Sequence, residues 1–198
     1  GPPSTTFSGT TLTFGRAMVL SDRVCVFGGT HGGGTSDTIG CARINASGAL
    51  EPFAAQAVQL PGVRNYAAGA LINDNVYLLG GTNGSAILDS IVRCVVPGDV
   101  SSCALHERRL SRPIQLPFGA MIGNALIYAG GQSSAGVRFG TDLERVPILA
   151  DSVGGGATVA GVVLPLGLYY HSTLVIDNTL WLLGGETALG IARSHQVV

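Results

Sequence analysis

The sequence predicts an all-β fold made of four consecutive units of about fifty residues, each a set of antiparallel strands. Three observations carry that prediction. Gly-Gly doublets that close an apolar burst stand at Gly28-Gly29, Gly80-Gly81, Gly130-Gly131 and Gly184-Gly185, so their first glycines lie 52, 50 and 54 residues apart. Six and seven residues before each first glycine are turn formers: Ser21-Asp22, Asn73-Asp74, Gly123-Asn124 and Asp177-Asn178. Short apolar stretches flank every turn, which is the pattern of a β-hairpin, and a fixed period marks a repeat array.

The hairpin strands read as 17–20 and 24–27, 70–72 and 76–79, 120–122 and 125–129, and 173–176 and 180–183. A polar, glycine-rich loop follows each doublet, and a third strand is expected over 38–44, 90–96, 143–149 and 191–198. In the first three units a second turn leads to a fourth, less regular strand near 50–53, 102–105 and 157–162. Those turns contain Ala46-Ser47-Gly48, Pro97-Gly98-Asp99 and Asp151-Ser152-Val153-Gly154. Crossovers through Pro61, Pro113 and Pro117, and Pro165 return the chain to the next hairpin. Four antiparallel strands per unit, repeated, is the arrangement of a β-propeller blade.

The same residues resemble the kelch repeat, with its aromatic residue three places before a Gly-Gly doublet. It is recognisable in Val76-Tyr77-Leu78-Leu79-Gly80-Gly81 and Leu180-Trp181-Leu182-Leu183-Gly184-Gly185. The stretch from Ile44-Asn45-Ala46-Ser47-Gly48 through Arg64-Asn65-Tyr66 to Gly81 is most similar to bacterial-style kelch units, with Phe53 where the family usually has tryptophan. The resemblance covers nearly the whole chain. It departs at Cys25, which holds the aromatic position of the first unit, at Ile127, which holds it in the third, and in lacking the late tryptophan.

A single kelch-type β-propeller domain over 1–198 is therefore expected, with four blades of four antiparallel strands near 14–60, 61–112, 113–166, and 167–198 joined by 1–13. The last unit stops at its third strand, so residues 5–8 or their neighbours are expected to supply its outer strand and close the ring. The competing arrangement is a segment of a larger propeller, or a half completed by a second chain.

Composition narrows the function. The chain has 198 residues, 30 of them glycine and 9 proline, is 46% hydrophobic and 12% charged, and carries a net charge of −1. Such a balance offers no broad basic field for nucleic acid or an anionic membrane. All the cationic residues are arginine, which reflects biased codon usage rather than a device. No apolar run approaches the roughly 18 residues of a membrane span. Four cysteines allow three pairings. Cys94 and Cys103 flank the Pro97-Gly98-Asp99 turn, and Cys25 and Cys41 fall on neighbouring strands, so the disulfides Cys25–Cys41 and Cys94–Cys103 are expected, and with them a secreted or cell-surface location. Asn45 and Asn83 open glycosylation triplets.

The crossovers and the loops after the doublets share one end of the units, and loop-bearing ends carry binding residues. The candidates there are Arg16, His31, Arg64, Tyr66, Asn83, Gln132, Tyr170, His171 and Glu186. In the resemblance, Arg64 and His171 stand where an Arg or His often ties neighbouring loops together. No phosphate loop, nucleophile elbow, zinc helix or Cys-x-x-Cys motif is present, and no metal or cofactor is implied. Two function classes follow. One is a non-catalytic module that binds a protein or glycan, or assembles with other chains. The other, implied by the resemblance to bacterial kelch propellers that act on sialic acid, is a sugar mutarotase or related isomerase, with Glu186 and His171 as candidates for its acid or base and Arg64 or Arg16 holding an anionic sugar.

Overall fold

The computed structural model describes residues 13–133, 140–191 and 195–197. The first unit forms a four-stranded sheet in chain order: β1 (Arg16–Leu20), β2 (Arg23–His31), β3 (Gly34–Arg43) and β4 (Ala54–Ala55). The second repeats it with β5 (Ala68–Ile72), β6 (Asn75–Leu79), β7 (Ser90–Val95) and β8 (Ser102–Arg109). In the third, β9 (Ile114–Gln115) precedes β10 (Phe118–Ile122) and β11 (Ala125–Ala129). There β12 (Gln132–Ser133) pairs back with β9, and the sheet continues through β13 (Asp142–Pro147) to β14 (Ala157–Val163). The fourth holds β15 (Ser172–Ile176) and β16 (Thr179–Leu183), a small pair β17 (Glu186–Thr187) and β18 (Gly190–Ile191), and β19 (His195–Val197) against β16. All pairings are antiparallel, and no described residue is helical.

The hairpins fall where the turn residues place them. Asn73 and Asp74, and Asp177 and Asn178, all have positive φ, as a two-residue type I′ turn requires. Several expectations need correction. The first-unit outer strand is a two-residue β4 at Ala54–Ala55 rather than 50–53, where only a bridge between Ile44 and Leu50 forms. In the last unit the described third-strand residues are His195–Val197, and Gly190–Ile191, expected in that strand, fold back on β17 instead. Nor does the first doublet end its strand: β2 runs on to His31, with an irregularity between Phe27 and Gly29. Thr13 pairs with Thr30 of the first unit rather than with the last one. The expected closing strand at 5–8 lies outside the described residues.

Consecutive sheets meet through a repeated contact. The N–H of the second doublet glycine donates to a carbonyl of the following unit: Gly29 to Arg64 at 2.8 Å, Gly81 to Ile114 at 2.7 Å and Gly131 to Leu168 at 2.8 Å. The first glycine lies so close to the same carbonyl that a Cβ on Gly28, Gly80 or Gly130 would collide with it. The doublet is thus glycine for two reasons, its left-handed φ and the close approach of a neighbouring backbone.

Between these contacts lie three cores. Each hairpin has a forward face, which turns toward the next unit, and a rear face. In the second unit the forward face pairs Ala68 with Leu79, Ala70 with Tyr77 and Ile72 with Asn75, and all six residues are buried. Forward residues Leu20, Cys25 and Phe27 share a core with rear residues Val76 and Leu78. Ile72, Tyr77 and Leu79 do so with Leu126 and Tyr128, and Ala129 and Leu143 with Leu180 and Leu182. Both disulfides, Cys25–Cys41 and Cys94–Cys103, link directly opposed strand residues and belong to the first of these cores. They place the protein in an oxidising environment of extracellular type. In the second core, Glu144 is buried, with its Oε1 accepting the Ser111 N–H at 2.6 Å. Burial and that carboxylate push the Tyr128 phenol up.

Gly80 and Gly98 both have positive φ, but only Gly80 faces a neighbouring carbonyl. Gly98→Ala is expected to cost about 1–2 kcal/mol from backbone strain, and Gly80→Ala about 1–3 kcal/mol more from the collision. Urea unfolding of the two variants checks the difference; equal losses would refute the close-approach account.

Candidate functional site

Four non-glycine residues with left-handed backbone stand at equivalent places: Phe14 (φ 60), Tyr66 (φ 56), Leu116 (φ 56) and Tyr170 (φ 56). Each lies fourteen residues before the first glycine of its doublet. A side chain in that region costs on the order of 1 kcal/mol or more, so the surrounding structure must hold it there. The hold is visible. The preceding residue pairs with the strand that leaves the doublet, Thr13 with Thr30, Asn65 with Thr82, Gln115 with Gln132 and Tyr169 with Glu186. Successive units are also tied by the Tyr66 N–H on the Phe14 carbonyl at 3.1 Å and the Leu116 N–H on the Tyr66 carbonyl at 2.8 Å.

All four side chains line one pocket of about 230 Å3, together with Gly15, Arg16, Ala67, Pro117 and Phe118. The Phe14 and Tyr66 rings lie 4.5 Å apart at 35°, and Tyr170 meets Tyr169 edge to face at 4.2 Å. Burial, then the facing Tyr170 phenol, raises the pKa of Tyr66. Arg16 enters beside them. Its Nη2 donates to the Gly69 carbonyl at 3.1 Å, its buried Nε finds no partner, and burial lowers its pKa. Among the described residues no carboxylate lines this pocket. Aromatic faces, two phenols and one arginine can stack on a sugar ring or apolar group and hold an anionic oxygen.

Of the residues read from the sequence, the pocket gathers Arg16, Tyr66 and Tyr170. Arg64 is buried elsewhere: its Nη1 donates to the Gly80 and Ser90 carbonyls and its Nη2 to the Ser90 hydroxyl at 2.7 Å. Burial lowers it to about 10, so it stays charged at neutral pH as a structural clamp. His171 is buried against the Phe118 ring, 5.3 Å between centroids. Burial pushes it down to about 4, the nearby Phe118 main chain opposing, and neither ring nitrogen makes a well-formed hydrogen bond. The two are not equivalent: Arg64 lies two residues before the left-handed position of its unit and His171 one after.

His31 is exposed at the end of β2 and Asn83 on a loop, and the Asn83 Oδ1 caps its own turn by accepting from the Ser85 and Ala86 N–H groups. Gln132 accepts at Oε1 from Gln115 Nε2 at 2.7 Å. Glu186 is held by its main chain on Tyr169, with its side chain toward solvent. Asn45 accepts at Oδ1 from Ser47 and Ala49 in an exposed turn. Phe14, Leu116, Pro117 and Phe118 escaped the sequence reading. The constant fourteen-residue offset from the doublets was the signal that marks the first two.

One further pair has the look of a nucleophile and its base, His106 Nε2 and the Ser152 hydroxyl at 2.8 Å. The Arg108 N–H donates to His106 Nδ1, so Nε2 carries the ring proton and donates to Ser152. That tautomer cannot take the serine proton. No family model matches the chain, and no curated protein matches it either.

His171 carries a pH signature. Its native pKa is depressed below the unfolded value, so the unfolded state binds more protons between about 6.5 and 4 and stability falls as pH drops through that window. Chemical denaturation at pH 7 and pH 4.5 is expected to show a loss that shrinks by about 2–3 kcal/mol in His171→Phe. An unchanged pH dependence in that variant would remove His171 from the account.

Proposed function

We propose that this chain is a secreted kelch-type β-propeller of four blades, acting as a non-catalytic binding module whose ligand enters the pocket ringed by Phe14, Tyr66, Leu116 and Tyr170. The supporting observation is that four equivalent positions, one per unit, line the same pocket with three aromatic rings and place Arg16 beside them. The pocket favours a small group with an apolar or sugar-ring face and one anionic oxygen, such as a uronic or sialic acid residue of a glycan or an acidic terminus of a protein. The two disulfides support the secreted location. Among the described residues no helix is long and apolar enough to cross a membrane.

The isomerase reading needs Glu186, His171 and an arginine converging on one ligand. Neither Glu186 nor His171 lines the pocket, and Arg64 is occupied by Gly80 and Ser90. Binding without catalysis is therefore the stronger reading.

Titration of the protein with acidic and neutral monosaccharides, followed by calorimetry, is expected to give binding for the acidic ones alone. Arg16→Met should weaken it by roughly tenfold or more, the worth of a charge-assisted hydrogen bond. Equal affinity for neutral sugars would discard the role of Arg16. Accelerated exchange between anomers in proton NMR would instead establish the isomerase.

A further inference from the structure

We infer that the cleft between the outer strands of the second sheet and the turn that carries Ser152 in the third unit is a second binding site, for a carboxylate borne on a short apolar group. The cleft has a volume of about 400 Å3. Its floor is the forward face of β7 and β8, where Arg93 opposes Ala104 and Val95 opposes Ser102. The hairpin turn of the second unit anchors both sides of it. Asn75, which is buried, accepts at Oδ1 from the Arg93 Nε at 2.8 Å, and Asn73 donates from Nδ2 to the Ala150 carbonyl at 2.9 Å.

The half-buried Arg93 guanidinium is thus fixed by one edge, and its two terminal nitrogens stay available. Among the described residues Arg93 forms no ion pair, and the bond to Asn75 is the only hydrogen bond of its side chain. Glu107 borders the same cleft, but its Oε1 lies 3.4 Å from Arg108 Nε and its charge is offset there. On the opposite wall His106 Nε2 donates to the Ser152 hydroxyl at 2.8 Å, its ring edge to face with Tyr77 at 6.0 Å. A hydroxyl whose oxygen accepts in this way keeps its own proton for another partner. The cleft therefore offers a guanidinium fork and one O–H donor, with Val95, Ala104 and Leu105 as apolar footing beside them. A carboxylate matches the fork with two parallel hydrogen bonds, and the aliphatic lining favours a hydrocarbon carrier over a sugar. Between the first and second sheets the molecule fills a comparable place itself: Asp99, in the turn after β7, pairs with Arg23 at the start of β2. The corresponding turn of the third unit brings Ser152 rather than a carboxylate to the cleft, and the anion is left to a ligand.

The test follows the Arg93 side-chain signal of the whole chain by nitrogen-edited NMR as butyrate, its neutral counterpart butyramide and the peptide acetyl-Asp-Val-amide are added in turn. Butyrate is expected to shift the signal and butyramide to leave it in place. Tighter binding of the peptide assigns the site to acidic side chains of a partner, and tighter binding of butyrate to free short-chain carboxylates; either result supports the site. Arg93→Met should weaken butyrate binding, read from the main-chain signals of Ser152 and its neighbours, by roughly tenfold or more. That change also leaves Asn75 without its partner, so Ser152→Asp serves as a second variant. It supplies the carboxylate from the chain itself, as Asp99 does for Arg23, and should abolish the response in a protein that circular dichroism shows to be folded. Arg16→Met, in the pocket ringed by Phe14 and Tyr66, should leave the response unchanged. No shift with butyrate, an equal shift with butyramide, or a full response in Ser152→Asp overturns the proposal. A response lost in Arg16→Met overturns it too, since the carboxylate would then occupy the other pocket.

Discussion

The arrangement of this molecule depends on one main-chain contact, a glycine N–H of one unit donating to a carbonyl of the next, with the preceding glycine pressed against the same carbonyl. The contact fixes how closely consecutive sheets approach, and the cores between them fill the space so defined. Because backbone rather than side chain sets that distance, units with different core residues stack in the same way. Phe27, Leu79 and Ala129 occupy equivalent positions with very different volumes.

The pocket follows from the same contact. Each acceptor carbonyl, at Arg64, Ile114 and Leu168, lies two residues before a left-handed residue. Anchoring the carbonyl on one unit and pairing the intervening residue with the strand leaving its own doublet leaves the next side chain little choice of direction. Aromatic rings are thereby presented on strained backbone at the loop-bearing end, where pre-organised contacts serve binding better than mobile ones. Arg64 contributes from a distance, fastening the Gly80 and Ser90 carbonyls rather than reaching a ligand.

The repeat and its hairpins were legible in the sequence because their signals are local: two turn residues at a fixed distance from two glycines. The disulfide pairs were legible for the same reason, each being set by opposed strands. Outer strands were less so. Ala54–Ala55 is short and exposed at the edge of its sheet, so little hydrophobic alternation marks it. The functional end was half legible. Tyr66, Tyr170 and Arg16 are residue types that draw the eye, whereas Leu116 joins the pocket through its equivalence to aromatic positions elsewhere in the chain and Pro117 as its neighbour. Arg64 and His171 looked alike by proximity to a strand start. Their separation required knowing which carbonyl is taken by the neighbouring unit.

The disulfides are unevenly distributed. One bridges two strands within the first sheet and the other two strands within the second, both around one core, while the third and fourth sheets hold their strands together by packing and hydrogen bonds alone. In a stack where each unit contacts chiefly its neighbours, local opening follows local stability. The chain therefore has a covalently pinned head and an unpinned tail. The units that carry Phe14 and Tyr66 to the pocket are each cross-linked internally, and the units that carry Leu116 and Tyr170 are not.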